Sequence, residues 1–551
     1  MIRNCFAVSL TALVLASTTA ALAAEQTRAE AEKDPVLKSM LIELDRSRDQ
    51  LQLKGFEKPF FLQYRIEDIE DYQTKGDFGA SVGDEHRHQR LARVTVRVGD
   101  YKIDSSTARG DGSVELAALD NDPLALRAGL WQATDQAYKA ALKAYAQKQS
   151  QLKQVQTPPQ QDDFSHETPV VSLEDTVRLD IDGPAWIKRM CDASGLYRTD
   201  PVLKADKKEV QYATAIFHAR SVNSYLVSSE GAIIRKGLTS YEESFAVGTQ
   251  AADGMHLDRS YGSNGVSLKD LDSAEAFNQR AKVLVASLAD LRKAPLVEEE
   301  YHGPVLFSAD ASSDAIHELV ASAVTALRPD LGTEARTKGA FASSYHARVL
   351  PEFLDVVDDP SMTTFDGKTL VGAYKIDDEG VPAQPVKLIT DGRLENYLIG
   401  REPVRDFPKS NGHGRAALTG PARPQISVLN VTAHEGFSDA DLNQKMLALA
   451  KDRGLKSVYF VETLGPEMTP RLLYRVSIDG KRELVRGATL DDLDQRALRS
   501  GVVAAGKKPF IANYDGAVPE TILAPALLFD DVTVKRANEK NDKLPFYPPP
   551  D

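Results

Sequence analysis

The sequence predicts a two-domain α+β protein built on antiparallel sheets. At 551 residues the chain exceeds what one ordinary core needs, and its 42% hydrophobic and 27% charged residues are the composition of a packed globular protein. Helical and strand-like patterns are segregated along the chain rather than alternating as β-α-β units, which favours α+β over α/β. An amphipathic helix ends at Lys293-Ala294-Pro295, so we place an N-terminal α+β domain at 25–297 and a strand-rich C-terminal domain at 298–535.

The first 24 residues have the pattern of a signal peptide. Arg3 gives a positive start, Phe6 to Ala16 form a short apolar run, and Ala21-Leu22-Ala23-Ala24 supplies small residues for cleavage. We therefore expect a periplasmic or secreted mature chain. No later segment approaches the roughly 18 apolar residues of a membrane-spanning helix, so no membrane span is expected. Cys191 is then the single mature cysteine, which leaves no intramolecular disulfide.

A helix followed by strands is predicted at the start of the mature chain. Asp34 can cap the helix, with Pro35 in its first turn. Phe60 to Ile66 and Leu91 to Val98 are predicted to be strands, and in the second of these apolar and polar residues alternate with a period of two. We interpret the charged segment Asp84 to His88 as a solvated loop, because exposure explains its His-x-His spacing better than metal binding does.

The rest of the N-terminal half is predicted to be two helices around a meander of strands. A long helix runs from about Pro123 to Lys153, and Thr157 to Asp163 is a polar linker or loop. Glu209 to Thr249 is typical of antiparallel strands joined by turns. Asp272 or Ser273 caps the closing helix, whose inner face carries Phe277, Ala281, Leu284, Leu288 and Leu291.

Strands and turns dominate the C-terminal half. Val386 to Thr390 and Leu394 to Leu398 form a hairpin around the favoured two-residue turn Asp391-Gly392. Residues 536–551 form a polar, proline-rich tail. The other predicted elements are strands at Ile426 to Val431, Ser457 to Glu462 and Leu472 to Ile478, and a helix near Ala440 to Arg453.

Charge and missing motifs exclude several functions. The formal net charge of -13 argues against nucleic acid as the main partner. The sequence has no phosphate-binding Gly-rich loop, no dinucleotide fingerprint and no Gly-x-Ser-x-Gly elbow. It also lacks the cysteine pairs of a structural zinc site.

One local pattern suggests metal chemistry. His317 and Glu318 are predicted to lie near the start of a helix that follows a strand ending at Ser308, and such a pair is how many zinc hydrolases present a ligand beside a general base. Zinc needs about three protein ligands, however, and the next turn offers only Ala321 and Ser322. On local grounds a structural His317 is therefore favoured.

The sequence resembles the TldD/PmbA family, strongly over about 300–530 and more weakly before that. The segments that carry the resemblance are YHGPVLF at 301–307, DVVDDP at 355–360, DDEG at 377–380, VKLITDGRL at 386–394, SNGHGR at 410–415 and APALLF at 524–529.

The resemblance implies a peptidase scaffold with two-domain TldD/PmbA-like architecture. In that family the TldD branch consists of zinc metallopeptidases with a His-Glu-x-x-x-His helix and a later cysteine as ligand. PmbA, also called TldE, lacks the metal site and pairs with TldD to cleave largely unfolded peptides. Only His317 and Glu318 match the catalytic helix here. Ser322 replaces the second histidine, and the segment Gly501 to Lys507, where the cysteine is expected, has none.

We therefore expect a TldE-like subunit without its own cofactor, paired with a TldD-like catalytic subunit or with itself, that handles unfolded peptides. The alternative is an active zinc metallopeptidase in which His317 is a ligand, Glu318 is the general base, and His346 or His413 replaces the missing ligands, with His302 a weaker candidate. A peptide-binding holdase without a peptidase partner is a third possibility. The residues expected to line a peptide cleft are Asp358, Asp359, Asp378 and Asn411.

Overall fold

A computed structural model describes residues 27–106, 112–155, 161–204 and 209–538. The expected signal peptide lies outside the described residues, as do the first part of the 157–163 linker and the tail beyond residue 538. The described part of the chain is a mixed α+β structure with two large sheets, as the sequence predicts.

The N-terminal sheet is formed mainly by very long antiparallel strands. Its order is β3-β2-β1-β5-β6, and β4 and β7 both pair with β6. Within it Tyr64 lies opposite both Val94 and Val227, so these three side chains share one face. The strands are β1 (Pro59–Asp77), β2 (Ala80–Val98), β3 (Ser113–Leu116), β4 (Val171–Leu173), β5 (Tyr212–Ser228), β6 (Ile233–Gln250) and β7 (His256–Gly265).

Helices cover one face of this sheet in two groups. Tyr64 and Val94 pack beneath the first two helices, and Phe217 and Phe245 pack beneath later ones. Because burial of such side chains is the main favourable term in folding, this face forms the core of the N-terminal half. The helices are α1 (Pro35–Gln50), α2 (Pro123–Leu152), α3 (Gly183–Ser194), α4 (Leu196–Thr199) and α5 (Ala274–Lys293).

The opposite face of the N-terminal sheet packs against the C-terminal half. Arg65 is 4% exposed, and its Nη2 donates to the carbonyl oxygens of Ala417, at 3.1 Å, and Gly420, at 2.9 Å. Leu226 and Ile234 form a small apolar cluster with Ile376 beside it. The two halves therefore share a face that mixes buried charge and apolar contact.

The C-terminal sheet is mostly antiparallel and is centred on β22, which pairs with β8, β16, β20 and β21. Two pairings, β16 with β22 and β8 with β17, are parallel. The main strands are β8 (Tyr301–Phe307), β9 (Leu354–Asp358), β12 (Val386–Thr390), β13 (Arg393–Leu394), β16 (Val428–Ala433), β17 (Ser457–Leu464), β18 (Pro470–Ser477), β19 (Arg482–Val485), β20 (Ala488–Asp491), β21 (Val502–Asp515) and β22 (Pro519–Arg536).

Short elements complete this half. Two small sheets pair β10 (Thr364–Phe365) with β11 (Lys368–Thr369) and β14 (Gly414–Arg415) with β15 (Arg423–Pro424). The helices are α6 (Ala309–Ile316), α7 (Asp439–Asp452) and α8 (Gln495–Gly501), with a π-helical turn at His317–Ala321 and a 3₁₀ turn at Pro466–Met468.

The predicted helix boundaries agree closely with the structure. The Asp34 carboxylate accepts from the amides of Val36 and Leu37, and Ser273 caps α5 by accepting from the amide of Ala276. The predicted loop at Asp84 to His88 is wrong, because these residues continue β2 alongside β1. The predicted hairpin around Asp391-Gly392 is present, but its second strand ends after Leu394.

No helix in the described part of the chain is long and apolar enough to cross a bilayer.

Candidate functional site

Helix α6 and the π-turn after it position His317. The Ser308 hydroxyl follows β8 directly and accepts from the amide of Ala311 at 3.0 Å, which starts the helix. The helix therefore begins well before His317, and the expectation that the His-Glu pair lies near a helix start is wrong. His317 lies at the carboxyl end of α6, where a positive charge is favoured by the helix dipole.

The His317 imidazole is held by a carboxylate and an aromatic ring. Its Nε2 lies 3.0 Å from Oε2 of Glu520, and its ring stacks on Tyr514 with the centroids 4.3 Å apart. The hydrogen bond with Glu520 raises the pKa of His317, against the opposing effect of burial. The Tyr514 hydroxyl in turn donates to Oδ1 of Asp314 at 2.8 Å.

These groups border a cavity of about 620 Å³ that is acidic in character. Glu242, Asp515 and Glu520 line it, and none of its described lining residues is a lysine or arginine. Burial raises the pKa of Glu242 and of Asp515. In the first turn of α6, burial and the nearby Asp314 charge raise the pKa of Asp310 to about 6. The cavity therefore favours positively charged or neutral groups over anions.

The residues present do not fit a catalytic zinc ion. Such a site needs about three protein ligands, and of the expected set only His317 can supply one. Ser322 is exposed at the end of the π-turn, and the segment from Gly501 to Lys507 holds neither a thiol nor an imidazole. Among the described residues, the one group of three potential ligands lies elsewhere, at Asp355, Asp391 and His434.

The histidines proposed as substitute ligands do not meet His317. His346 is largely exposed and its Nδ1 pairs with Glu395 at 2.8 Å. His413 is fully buried and its Nε2 bonds to Oδ1 of Asp358 at 3.1 Å. His302 is exposed beside Glu300. Each of these imidazoles has its own carboxylate partner, and none of them forms a group of three potential metal ligands with His317 in the described residues.

Three of the residues expected to line a peptide cleft make hydrogen bonds that hold loops in place. Asp358 is fully buried and accepts from the Ser427 amide at 2.9 Å. Asp359 forms a local turn by accepting from the amide of Ser361. Asn411 bridges backbone groups at Ile399 and Tyr397.

Asp378 belongs to an ion-pair network between the two halves of the chain. It pairs with Lys236 from β6 and with Arg415. Burial alone would raise the pKa of Asp378, but the charges of Lys236 and Arg415 lower it. Through Lys236, its carboxylate links the C-terminal half to strand β6 of the N-terminal half.

A larger cavity, of about 1060 Å³, lies between the two halves. Cationic side chains are common in its wall, including Arg65, Lys148 and Arg328. Lys148 and Arg328 both pair with the buried Asp163. Its volume is that of a large ligand site, and its wall is more polar than such sites usually are.

Sequence reasoning missed the residues that define the surroundings of His317. Glu520 and Tyr514 lie about 200 positions away from it on β22 and β21. No local pattern marks them, because their proximity arises only when α6 packs on these strands.

Comparisons with known proteins agree on family and fold. Residues 299–536 match the family described as PmbA/TldA metallopeptidase C-terminal domain. No curated protein sequence matches the chain. Solved structures nevertheless resemble it over 90% of its length.

These structures come from three organisms. TldE from Thermococcus kodakarensis is 12% identical, with a TM-score of 0.59 and 100% of its chain covered. A proposed modulator of a DNA gyrase from Thermotoga maritima is 14% identical, with a TM-score of 0.59 and 100% covered. A protein of the same description from Bacteroides thetaiotaomicron is 12% identical, with a TM-score of 0.56 and 98% covered. At these identities the likeness concerns the fold.

Proposed function

The chain belongs to the TldD/PmbA family through its C-terminal domain, and on this premise we propose that it is a non-catalytic, TldE-like subunit of an exported peptide-cleaving assembly. The observation that carries the proposal is the set of groups that surround His317. This single family ligand is bonded to Glu520, stacked on Tyr514 and without a second imidazole or thiolate near it in the described residues.

Energetics favour a structural His317 over a zinc ligand. A catalytic zinc ion is held by about three ligands, and binding by one imidazole is far weaker than binding by a complete set. Zinc bound at Nε2 of His317 would displace its hydrogen bond to Glu520. That bond favours the protonated imidazole, which cannot coordinate a metal.

The interdomain cavity supports the peptide-handling part of the proposal. It is walled by both halves of the chain and its lining is largely polar. Extended peptides can be bound through backbone hydrogen bonds irrespective of side chain, which suits unfolded substrates. In this proposal the chain supplies walls of a chamber, and a TldD-like partner with an intact His-Glu-x-x-x-His helix supplies the chemistry.

A reconstitution experiment tests the proposal. The mature chain, residues 25–551, is assayed on an unfolded, dye-labelled casein alone and with a TldD-like protein of the same organism. We expect no cleavage by the chain alone and a rate with the partner that exceeds the partner's own rate.

The Glu318→Gln variant distinguishes a non-catalytic subunit from an active metallopeptidase. Glu318 is exposed, so the substitution does not disturb folding. Loss of a general base lowers a rate about 10²- to 10⁴-fold, whereas a non-catalytic subunit supports the same rate with either residue. Chelator-sensitive cleavage by the isolated chain that is lost in this variant would refute the proposal.

A further inference from the structure

Half of strand β2 forms an open edge of the N-terminal sheet. Residues 80–89 run along β1 on one side, with a register shift at Val82, whereas the short strand β3 pairs only with Leu91 to Val94 on the other. Nine of these ten residues are exposed, and Gly83 is half-buried. Among the described residues, nothing pairs with the outer side of this segment, which we call the β2 edge.

The backbone of the β2 edge presents hydrogen-bonding groups outward at even-numbered residues. The Arg90 carbonyl oxygen accepts from the Ala117 amide, on the side away from β1. The Gly83 carbonyl oxygen faces β1, where it accepts from the Thr74 hydroxyl. Because the direction alternates along an antiparallel strand, the N–H and C=O groups of Asp84, His86 and His88 point outward. An edge of this kind is a template for another strand.

Along the β2 edge, acidic side chains lie on one side of His86 and basic side chains on the other, so an antiparallel second copy can place unlike residues opposite one another. Asp84 and Glu85 precede His86, and Arg87 and His88 follow it. Two antiparallel copies related by a twofold axis at His86 therefore place Glu85 opposite Arg87 and Asp84 opposite His88.

Symmetric registers centred on the neighbouring acidic residues or on Arg87 are unfavourable. Since hydrogen-bonded and non-hydrogen-bonded pairs alternate, a twofold axis between antiparallel strands must pass through a residue pair. An axis at Asp84, Glu85 or Arg87 sets each of these charges against its own copy. Like charges directly opposite one another destabilise a sheet. The axis at His86 sets Glu85 opposite Arg87 on both sides and leaves no two acidic residues and no two arginines opposite one another.

We propose that two copies of this chain associate through their β2 edges, antiparallel and centred on His86, to form one continuous sheet. About six backbone hydrogen bonds join the strands, two at each of the three outward-facing pairs. Within one copy, Nη2 of Arg87 lies 2.6 Å from Oε2 of Glu85 on one face of the sheet. In the dimer these two residues and their counterparts in the second copy form a ring of four charges. The inference concerns assembly and does not depend on the proposed function.

Charge reversal tests the register. The mature chain is compared by sedimentation velocity with Glu85→Arg, Arg87→Glu and the double variant E85R/R87E. Both side chains are more than half exposed, so folding is not at risk. We expect a wild-type dimer, at least about tenfold weaker association in each single variant, and recovery in the double variant, because the opposed pairs change from attraction to repulsion and back.

Cysteine crosslinking tests the axis independently, in a Cys191→Ser background. In the proposed dimer the two copies of residue 86 have Cα atoms about 5.5 Å apart, within disulfide range, whereas the two copies of residue 88 lie about 13 Å apart along the strands. His86→Cys should therefore form a disulfide-linked dimer on mild oxidation, and the control His88→Cys should not. A monomeric wild-type chain, or one that binds unfolded peptide at this edge as a monomer, overturns the proposal. So do single charge variants that dimerise as the wild type does.

Discussion

Nε2 of His317 lies 3.0 Å from Oε2 of Glu520, so the one imidazole that matches the family's metal-binding helix is bonded to a carboxylate of the central strand β22. Zinc-peptidase chemistry requires that imidazole to be neutral and to bind the metal together with other protein ligands. Here the pairing with Glu520 favours its protonated form. This relationship is the basis of the proposal that the chain is a non-catalytic subunit.

Removing the carboxylate should change the titration of His317. Because the hydrogen bond with Glu520 is the main cause of the raised pKa, Glu520→Gln should lower the pKa of His317. The measurement is a pH titration of the histidine ring signals by NMR, with selectively labelled histidine. Glu395→Gln, beside His346, is the matched control and should leave His317 unchanged. An unaltered His317 titration in Glu520→Gln would show that the pair does not form in solution.

The Asp358→Ala variant should be strongly destabilised. Asp358 is fully buried and accepts from the Ser427 amide, the Ser427 hydroxyl and His413. Its removal leaves those donors without a partner, at a cost of about 3–5 kcal/mol in the free energy of unfolding. Urea denaturation measures this.

Asp359→Ala is the matched control for Asp358→Ala. Asp359 is only half-buried and forms a local turn, so its loss should cost about 1 kcal/mol or less. If Asp358→Ala proved as stable as the wild type yet failed to bind peptide, Asp358 would be a cleft residue after all.

Glu379 should make stability fall as the pH rises. Burial, together with the neighbouring Asp377 charge, raises the pKa of Glu379 from 4.5 to about 8. The folded state therefore binds this proton more tightly than the unfolded state does. The stabilisation is fully present below about pH 4.5 and is lost as the pH rises through about 8.

Glu379→Gln isolates this contribution, since an amide oxygen can still accept from the Arg401 amide. The free energy of unfolding of the variant, relative to the wild type, should increase between pH 5 and pH 9 by up to about 4 kcal/mol. Urea denaturation across this range provides the measurement. Glu352→Gln, at an exposed position, is the control and should show no trend. A flat difference for Glu379→Gln would mean that Glu379 is ionised throughout.

Gly412 should tolerate alanine less well than Gly454 does. Both have a positive φ, +75° and +66° respectively. A Cβ at Gly412 would lie 2.2 Å from the Pro382 carbonyl oxygen, whereas a Cβ at Gly454 would meet nothing within 4 Å. Gly454→Ala should therefore cost about 1 kcal/mol and Gly412→Ala clearly more, measured by thermal unfolding. Equal losses of stability in the two variants would show that the turn at residues 410–414 relaxes to accept a side chain.

The sequence predicts local features of this protein well and long-range ones poorly. Asp34 and Ser273 cap helices where expected, because capping depends on a few adjacent residues. The segment Asp84 to His88 was misjudged as a loop, because both faces of the β2 edge are exposed and polar, so its side chains show no period of two. Only pairing with β1 fixes its conformation.

The candidate site was predictable only in part. The motif comparison identifies His317 and the missing ligands at Ser322 and in the segment Gly501 to Lys507. It does not identify Glu520 or Tyr514, which reach His317 through the packing of α6 against β21 and β22. Tertiary packing of this kind leaves no trace in residue spacing.

The most direct test of a non-catalytic role is the zinc content of the mature chain, residues 25–551, measured by elemental analysis after purification without chelators. His317→Ala and His434→Ala are analysed beside the wild type, because Asp355, Asp391 and His434 form the exposed group that could hold an ion adventitiously. We expect no bound zinc that depends on His317. About one zinc per chain that is lost in His317→Ala and kept in His434→Ala would contradict it and make the chain a metallopeptidase in its own right.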